Sequence, residues 1–579
     1  LDFLARSSMP SKRTSKWIVI TSTRGPTDNV KRLASHPDWT LVVVGEENTP
    51  EERILPDVHH LSLVTQAAMG FDSLEGLPRS SYSRKNAGYL YSIANGANWI
   101  YDTDDDIEFH GKGLDQFEYV TERTRGLRFT TPDWSNTTIQ ESMFNPYRHF
   151  GRPEMWPRGF PIEHIKNHDH KDGSYRLCRV QQPPAVQQAI VQNEPEVDAI
   201  YRIFHSERSY GLEENFSEYA PPVILAPGTY APLNSRNTLF SRSAFFCLFL
   251  PTTVSSRVAD IWRGYFMQAL LHAAGETVSF VPVNAIRQNK AKNVIKDFND
   301  EMYIFDKAGE IVQFIDEWMC KEASMEKCMI ELAEKFAERG FWNDEDAKLV
   351  KHWVYDLQKI GYVFPALRKG SQSDYLIGED KDVLSNCRRA HLSLVHDLSL
   401  NKTEPAVNRA VQKINNFGDL KDWCNQSSSE KSKNWLFPAP DQLAEATAKN
   451  KTLTDNYQTV AIISNNYQWS MGMGMLQRMY EANFAMLIFC GHYPKQGKYS
   501  EKKAFPDGMA GGDWSYPNLK RPINYIDLSN EEVQNGFFMY YCLTKVEEMN
   551  IQNVKGYVIF SDDATFNFWN PLNLDLLQG

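Results

Sequence analysis

The sequence predicts an α/β fold built on a parallel, Rossmann-like sheet, and three observations support this. Trp17–Ser22 and Leu41–Val44 are short, β-branched apolar runs, which indicates buried strands. Apolar residues at helical spacing lie between them, and the order strand, helix, strand favours parallel pairing with a right-handed crossover. The same order begins again at Thr459–Ser464, so we interpret the chain as containing two related modules.

The next elements extend the first module. Ser83–Ala94 has the apolar spacing of an amphipathic helix, and Trp99–Tyr101 is a strand that leads into an acidic run, Asp102 to Asp106. Asp260–Ala274 is predicted to be a helix that ends at Gly275, and a strand follows it at Val278–Val283.

The second module has fewer predicted elements. They are a helix at Met471–Ala485, two further strands at Ala485–Cys490 and Val554–Phe560, and an acidic pair, Asp562 and Asp563. Because the sequence ends soon after this pair, we interpret the module as incomplete, and whether the pair binds anything stays open.

These elements divide the chain into five parts. We expect a disordered lead-in at 1–15, an α/β domain at 16–305, a helical module at 306–365, a polar linker-like region at 366–455, and the second, incomplete α/β module at 456–579. A length of 579 residues agrees with several domains, because one hydrophobic core rarely grows so large.

The composition restricts the classes of molecule that the chain is expected to bind. The net charge of −11 and the lack of a basic stripe argue against nucleic acid. No apolar run is long enough to span a bilayer. We interpret the start at Leu1 as a truncated or processed edge, which leaves an N-terminal membrane anchor open.

The cysteines and the N-glycosylation sequons give information on the cellular compartment of the protein. The eight cysteines include no CxxC pair, which argues against a structural zinc site, and their even number permits disulfides. Five candidate N-glycosylation sites are compatible with a secretory lumen: Asn136, Asn215, Asn401, Asn425 and Asn450.

The acidic run after Trp99–Tyr101 is the first candidate site, because ligands of open α/β sheets bind beyond the carboxyl ends of the strands. A diphosphate needs a hard divalent cation, and carboxylates are suitable ligands for Mg²⁺ or Mn²⁺. If the backbone stays extended, Asp104 and Asp106 share one side and are the metal candidates. Asp102 and Asp105 then face ribose or acceptor hydroxyls.

Two alternatives to a diphosphate site remain for this run. One is a solvated acidic loop. The other is a calcium-binding loop, which the sequence disfavours because Ile107 stands at the turn position that needs glycine and Gly113 at the position that needs glutamate.

Four other features carry candidate chemistry. Arg84 and Lys85 begin a helix and could compensate phosphate charge, and Arg158 sits in a stiff Pro/Gly frame that suits a phosphate clamp. Asp260 opens a predicted helix, where capping is the default role. The histidines of one segment form either a metal site or a surface loop: His164, His168 and His170, beside Asp169.

The motifs SYSRKNAGYLYSIANGANWIYDTDDD, WPRGFP, APLNSRNTLF, DIWRG and SDDATFNFWNPL carry a family resemblance. The chain resembles the STELLO proteins of plants and their animal relatives, which in turn resemble UDP-arabinopyranose mutases. The resemblance implies a GT-A glycosyltransferase fold, a place in the Golgi lumen as a type II membrane protein, and a link to glycan or polysaccharide assembly.

The resemblance also implies roles for individual residues. The acidic triplet Asp104 to Asp106 would hold metal and nucleotide, Arg158 would lie near the sugar, and Asp260 would be an acceptor-side or structural acid. A late histidine that commonly completes the metal site is missing here. Either Asn284 or Asn289 substitutes for this histidine, or metal binding is weak, or the domain is not catalytic.

Three functional hypotheses follow. The first is a metal-dependent glycosyltransferase that moves sugar from a UDP-sugar to a glycan or polysaccharide acceptor, with Mn²⁺ or Mg²⁺ on Asp104 and Asp106 and with Asp260 as a possible base. The second is a non-catalytic factor that assembles polysaccharide-synthesising enzymes of the Golgi. The third is a UDP-sugar mutase.

Overall fold

The computed structural model divides into two compact units. The first unit comprises residues 1–174, 178–217 and 222–387, and the second comprises 175–177, 218–221 and 388–579. The residues that the structure describes are 14–22, 26–49, 55, 58–130, 143–165, 175–206, 211–288, 293–368, 387–392, 458–465, 473, 476–477, 480, 484–491, 524–529, 532 and 538–564.

The described strands up to residue 287 are β1 (Lys16–Ser22), β2 (Trp39–Gly45), β3 (Val58–Leu61), β4 (Trp99–Thr103), β5 (Ile107–Phe109), β6 (Thr124–Phe129), β7 (Tyr175–Gln181), β8 (Val186–Gln192), β9 (Val223–Leu225), β10 (Asn237–Ser241) and β11 (Val278–Arg287). The helices of the first unit are α1 (Asp28–Ala34), α2 (Leu63–Ala68), α3 (Lys85–Ala94), α4 (Pro146–His149), α5 (Ala199–His205), α6 (Ser256–Ala274), α7 (Val294–Glu317), α8 (Met325–Glu338) and α9 (Asp344–Lys359).

The sheet of the first unit runs in the order β6-β9-β11-β8-β10-β4-β1-β2-β3. Strand β1 pairs in parallel with β2 and with β4, and β2 pairs in parallel with β3, so the predicted parallel arrangement is confirmed. Strand β10 is antiparallel to β4 and to β8. The carboxyl ends of β1, β2 and β4 therefore meet at one edge, where the acidic run begins.

The chain returns to the sheet directly after the acidic run. Strand β5 pairs antiparallel with the last residues of β11, with Ile107 opposite Arg287. This register places the end of β11 beside the acidic run, although the two segments are far apart in the sequence.

Helix α3 packs closely across β1 and β2. A Cβ atom added at Gly88 would lie 2.6 Å from Cγ1 of Val19 and 2.7 Å from Cγ2 of Val44, which is too close for any side chain. Glycine at this position lets the helix approach the sheet. The approach fixes the start of the helix, at Lys85, near the carboxyl end of β4.

The helical segment belongs to the first unit and is not a separate module. Helix α7 begins at Val294, so the expected boundary between 305 and 306 falls inside a helix. The indole of Trp262 in α6 donates to the carbonyl of Phe341 at 2.8 Å, and that of Trp353 in α9 donates to Phe246 at 2.9 Å. Sequence periodicity found the helices but not the partners that tie them to the sheet.

Asp346 of α9 anchors this segment through its carboxylate. It accepts from the backbone N–H groups of Thr252 and Thr253, at 2.7 and 2.9 Å, and it is buried. We expect Asp346→Ala to lower the free energy of unfolding by about 1.5–3 kcal/mol, because two partly buried N–H donors would lose a charged acceptor. Denaturant unfolding followed by tryptophan fluorescence measures this. A loss no larger than that of the exposed neighbour Glu345→Ala would contradict the anchoring role.

Helix α6 begins earlier than the sequence indicates. It starts at Ser256 with Ser255 at its N-cap, so Asp260 lies inside the helix and does not cap it, contrary to the default prediction. Val258, two residues upstream of Asp260, lies on the same helix face as Ile261 and Trp262, and all three side chains are buried.

The second unit has strands β12 (Cys387–His391), β13 (Thr459–Asn465), β14 (Met486–Gly491), β15 (Tyr525–Asp527) and β16 (Gly556–Ser561), and helix α10 (Phe538–Glu547). Their order is β16-β13-β14-β15-β12, and the first four strands are parallel. This repeats the order β4-β1-β2-β3 of the first unit.

Strand β12 corrects one predicted boundary, because it lies within the expected linker at 366–455. Ala390 pairs with Ile526 of β15, a partner that local composition does not reveal. The rest of that linker from 369 on, nearly all of the lead-in and most of the helix expected at 471–485 lie outside the described residues.

Three disulfides join cysteines of the described residues: Cys178–Cys387, Cys320–Cys328 and Cys490–Cys542. Cys247 is buried and carries a free thiol. None of the helices that the structure describes combines the length and the apolar character needed to cross a membrane.

Candidate functional site

The end of β4 surrounds a buried ammonium group. Nζ of Lys85 lies 2.9 Å from Oδ1 of Asp102 and 3.0 Å from Oδ1 of Asp104, and it donates to the carbonyl of Thr103 at 2.7 Å. The Lys85 side chain has no exposed surface. Burial alone would lower the pKa of Lys85, but the two carboxylates raise it above its usual value. Lys85 is therefore charged and holds the two acids together.

This arrangement changes the expected grouping of the acidic side chains. Asp102 and Asp104 share Lys85, because β4 is extended through Thr103 and residues two apart face the same side. The backbone then turns at residues 105–106, so the assumption of an extended chain fails there. The prediction that Asp102 faces the side opposite Asp104 is therefore wrong.

The last two acids have separate partners. The hydroxyl of Ser22 donates to Oδ2 of Asp105 at 3.0 Å, so Asp105 faces the end of β1. Asp106 accepts from Nε of Arg287 at 2.9 Å, as the register of β5 with β11 requires. The carboxylates of the acidic run thus point to three different neighbours.

Two guanidinium groups converge on one glutamate. Nη1 of Arg236 lies 2.9 Å from Oε1 of Glu196, and Nη1 of Arg287 lies 2.8 Å from the same oxygen. Nε of Arg236 also lies 3.5 Å from Oδ2 of Asp104. Burial would raise the pKa of Glu196, but the surrounding arginines hold it well below its usual value. Glu196 is therefore an ionised centre of the network.

Arg158, predicted as a phosphate clamp near the sugar, and Asp260, predicted as a possible base, form a pair with each other. Nη1 and Nη2 of Arg158 donate to Oδ1 and Oδ2 of Asp260 at 2.9 and 2.8 Å. Arg158 also contacts Glu196 at 3.2 Å. Burial raises the pKa of Asp260, but Arg158 outweighs this and lowers it. A carboxylate with a lowered pKa, bidentately held, is a weak proton acceptor.

Several members of this network were missed from the sequence: Glu196, Arg236, Arg263 and Arg287. Arg263 follows Asp260 by three residues in α6 and donates to Oδ2 of Asp102 at 3.0 Å. A three-residue spacing on one helix face is the signal that could have found it. Arg236 lies within the motif APLNSRNTLF, but nothing in the neighbouring sequence indicates which residues it contacts.

Arg84 is placed apart from these ion pairs. Its guanidinium donates to the carbonyls of Leu77 and Pro78, at 2.6 and 2.9 Å, and to Oε1 of Gln66 at 2.9 Å. These bonds hold the segment before α3. A direct phosphate contact by Arg84 would require these bonds to break, so the predicted phosphate role of Arg84 does not fit its contacts.

The residues at the end of β4 do not fit a resident divalent cation. The carboxylates of Asp104 and Asp106 are paired with protein cations, and a metal would have to displace them. Among the described residues, no three His, Cys, Asp or Glu side chains are grouped so that they could hold a metal ion.

Asn284, one of the two predicted substitutes for the late histidine, is bonded away from these acids. Asn284 donates to the carbonyl of Gly113 at 3.1 Å and accepts from Asn237 at 2.7 Å, so its amide is bonded elsewhere. Asn289 lies outside the described residues, as do His168, Asp169 and His170. His164 is buried, and burial lowers its pKa.

Asp198, close to Glu196 in the chain, caps α5. It accepts from the N–H of Tyr201 at 2.8 Å and from the indole of Trp156 at 2.6 Å. Burial raises the pKa of Asp198 from 3.8 to about 6, and the charge of Glu301 adds to this. The folded state therefore holds the proton more tightly, so this group's contribution to stability falls as the pH rises through that window.

We expect Asp198→Asn, which cannot ionise, to raise Tm relative to the wild type more at about pH 7 than at about pH 5. The difference between the two pH values therefore reports the ionisation of Asp198, including the stronger bond that the ionised form accepts from Trp156. Thermal unfolding at the two pH values measures it. A relative Tm that does not change with pH would contradict a raised pKa for Asp198.

Comparison with known proteins adds family information. The family model described as STELLO glycosyltransferases matches residues 257–577, which includes Asp260 and Arg287 but not the acidic run of β4. The chain is 33% identical over 356 residues to the protein named "Probable glycosyltransferase STELLO1" of Arabidopsis thaliana, which covers 61% of this chain and 46% of that protein.

A second relative gives the same result. The protein named "Probable glycosyltransferase STELLO2" of Arabidopsis thaliana is 33% identical over 365 residues, which is 62% of this chain and 47% of that protein. The chain thus spans about half the length of the curated relatives it matches. The STELLO resemblance found in the sequence motifs is confirmed. Because the family model covers more than half of the chain, the chain belongs to the STELLO glycosyltransferase family.

Proposed function

We propose that the first unit binds a UDP-sugar at the carboxyl end of β4 and transfers the sugar to a glycan or polysaccharide acceptor. The observation that carries this is the pair of guanidinium groups, Arg236 and Arg287, that meets at Glu196 beside the acidic run. Catalysis of sugar transfer depends on stabilising the diphosphate leaving group, and fixed cations at a strand end provide that stabilisation.

The order of the sheet supports a GT-A fold for this unit. Four parallel strands, β3-β2-β1-β4, are followed by the antiparallel β10, so the strand direction changes beside β4. A ligand crevice is expected at such a change. We assign Asp105, which accepts from Ser22 at the end of β1, to accept from a hydroxyl of the nucleotide's ribose.

The other residues of the network act on these groups indirectly. Lys85 and Arg263 hold Asp102 in place, and Arg158 fixes Glu196 and Asp260. We assign them positioning roles, because their side chains are buried and have no open surface toward a ligand. The expected Mn²⁺ or Mg²⁺ is not part of this proposal, since the acids it would use are paired with protein cations.

A secretory compartment, with the Golgi lumen as the proposed site, suits the three disulfides, which persist in oxidising environments. Asn215 is exposed, as a glycosylation site must be, whereas the other four sequons lie outside the described residues. Digestion of the secreted protein with an N-glycosidase would test this. A mass that does not change, with every sequon asparagine unmodified, would count against glycosylation in that lumen.

A second candidate is a non-catalytic assembly factor for Golgi polysaccharide-synthesising enzymes. It is favoured by the extent to which the charges of the site neutralise one another, since Asp260, Glu196 and Asp102 all lie in buried ion pairs. Such a network can persist for structural reasons after activity has been lost.

The experiment that separates the candidates is turnover of a panel of UDP-sugars, with and without oligosaccharide acceptors. Release of UDP that depends on an acceptor supports the transferase. Conversion between pyranose and furanose rings without acceptor identifies a mutase. If no UDP-sugar is bound or turned over under any condition, the transferase proposal fails and the assembly factor becomes the better account.

A further inference from the structure

We propose that Arg236 and Arg287 bind the diphosphate of the sugar nucleotide directly, without a divalent cation. This inference rests on the proposed function, because it assigns the groups that hold the donor at that site. It differs from the expectation drawn from the acidic triplet, in which Asp104 and Asp106 hold a metal and the metal holds the phosphates.

The geometry of the two guanidinium groups supports this assignment. Both place Nη1 within 3 Å of the same oxygen of Glu196, at 2.9 and 2.8 Å. They therefore lie side by side, and they come from strand ends that β5 and β10 bring to one edge of the sheet. Two adjacent planar forks can each donate to one phosphate of a diphosphate.

The side chains of Arg236 and Arg287 are more exposed to solvent than those of the other cations in the network. Their side chains retain 16% and 11% of their surface, whereas those of Lys85, Arg158 and Arg263 retain at most 1%. Part of each of these two side chains is therefore open to solvent, while Nη1 of Arg236, which faces Glu196, is itself buried. The buried cations neutralise the buried carboxylates and leave these two to meet an incoming anion.

The acids around them act as exchangeable counter-ions. Asp104 and Asp106 are the partners nearest to solvent, with 16% and 15% of their surface exposed. An arriving diphosphate would replace these two carboxylates on the guanidinium groups, while Glu196 keeps the pair in place. In this arrangement Asp104 and Asp106 compete with the ligand, whereas in a metal-dependent site they would help to bind it.

Direct binding by the arginines and binding through a metal therefore predict opposite effects of substitutions at Asp104 and Asp106. We expect UDP to bind the wild-type chain in EDTA, and we expect Asp104→Asn and Asp106→Asn to bind UDP as tightly as the wild type or more tightly. Titration calorimetry in EDTA and in Mn²⁺ measures both. UDP binding that requires Mn²⁺ and is abolished by these substitutions would overturn the inference and leave the proposed function standing.

Substitution of Arg236 and Arg287 tests the same inference independently of the acids. Arg236→Gln and Arg287→Gln should each weaken UDP binding in EDTA by at least about tenfold, since each removes a charged donor. Lys335→Gln is the matched control, because it removes one positive charge from an exposed position on α8 and should leave affinity unchanged. Equal affinities for all three variants and the wild type would overturn the inference.

Loss of folding must be separated from loss of a ligand contact. Arg236→Lys keeps the charge that neutralises Glu196 but loses the planar fork, so it should fold like the wild type and still bind UDP more weakly. A Tm equal to that of the wild type, measured on the same samples, confirms the comparison. If the wild type binds neither UDP nor any UDP-sugar with or without Mn²⁺, the proposed function itself fails, which is a different outcome from metal-dependent binding.

Discussion

Replacing Lys85 with methionine is expected to lower the free energy of unfolding of the first unit by about 3–5 kcal/mol. The ammonium group lies between the carboxylates of Asp102 and Asp104, and both it and Asp102 are fully buried. Without this ammonium group, Arg263 still pairs with Asp102, but Asp102 and Asp104 lose the cation that they share. Because the pKa of Lys85 is raised, this stabilisation is fully present at neutral pH and is lost only above the usual pKa of a lysine.

Two further variants make this result interpretable. Lys335→Met removes an exposed lysine and should change stability by less than about 0.5 kcal/mol. Lys85→Met combined with Asp104→Asn should recover part of the loss, since Asp102 keeps Arg263 whereas Asp104 loses its nearest cation. Denaturant unfolding of each variant gives the values. If Lys85→Met were as stable as Lys335→Met, the buried ion pair would not hold the end of β4 together.

The strands around this site were predictable because each carries its own signal. Strands β1 and β2 are apolar on both faces, as a parallel sheet covered on both sides requires, and Gly45 marks the end of β2. Their observed bounds extend the predicted ones by no more than two residues. The turn at residues 105–106 was missed because a run of acids gives no indication of where an extended chain ends.

The partners of the acids were not predictable from the sequence. Arg287 reaches Asp106 only because β5 pairs with β11, and Glu196 reaches Arg236 only because both lie at the same edge of the sheet. Such contacts join residues more than 30 positions apart, and they depend on strand order. Composition and periodicity describe single elements and therefore leave strand order undetermined.

Asp260 shows how an error in one boundary changes a functional interpretation. Placed at the start of a helix, it had capping as its default role. Inside α6, it faces the sheet one turn from Arg263, and its carboxylate meets Arg158 and the N–H of Ser235. The helix begins at Ser256 because Val258 contributes to the buried face, and that face is visible in the sequence only when the preceding turn is included.

Replacing Arg158 with leucine is expected to cost about 3–5 kcal/mol, because Arg158 is the bidentate partner of Asp260 and also contacts Glu196. Leucine leaves Asp260 charged and buried without its guanidinium. Denaturant unfolding measures the loss, and the double variant Arg158→Leu with Asp260→Leu should be more stable than Arg158→Leu alone. Equal stability of the single and double variants would show that the pair is not coupled.

Asp260→Asn then separates structure from catalysis. Asparagine keeps the shape of the side chain but removes the charge that Arg158 neutralises, so a positioning role predicts a lower Tm together with retained UDP affinity. A catalytic base predicts the same lower Tm and retained affinity, together with a loss of turnover at saturating donor. The lowered pKa of Asp260 favours the first outcome, since a carboxylate held by two guanidinium donors gains little by accepting a proton. Tm and turnover measured on the same preparation therefore decide whether α6 contributes a reacting group or holds Arg158 in place.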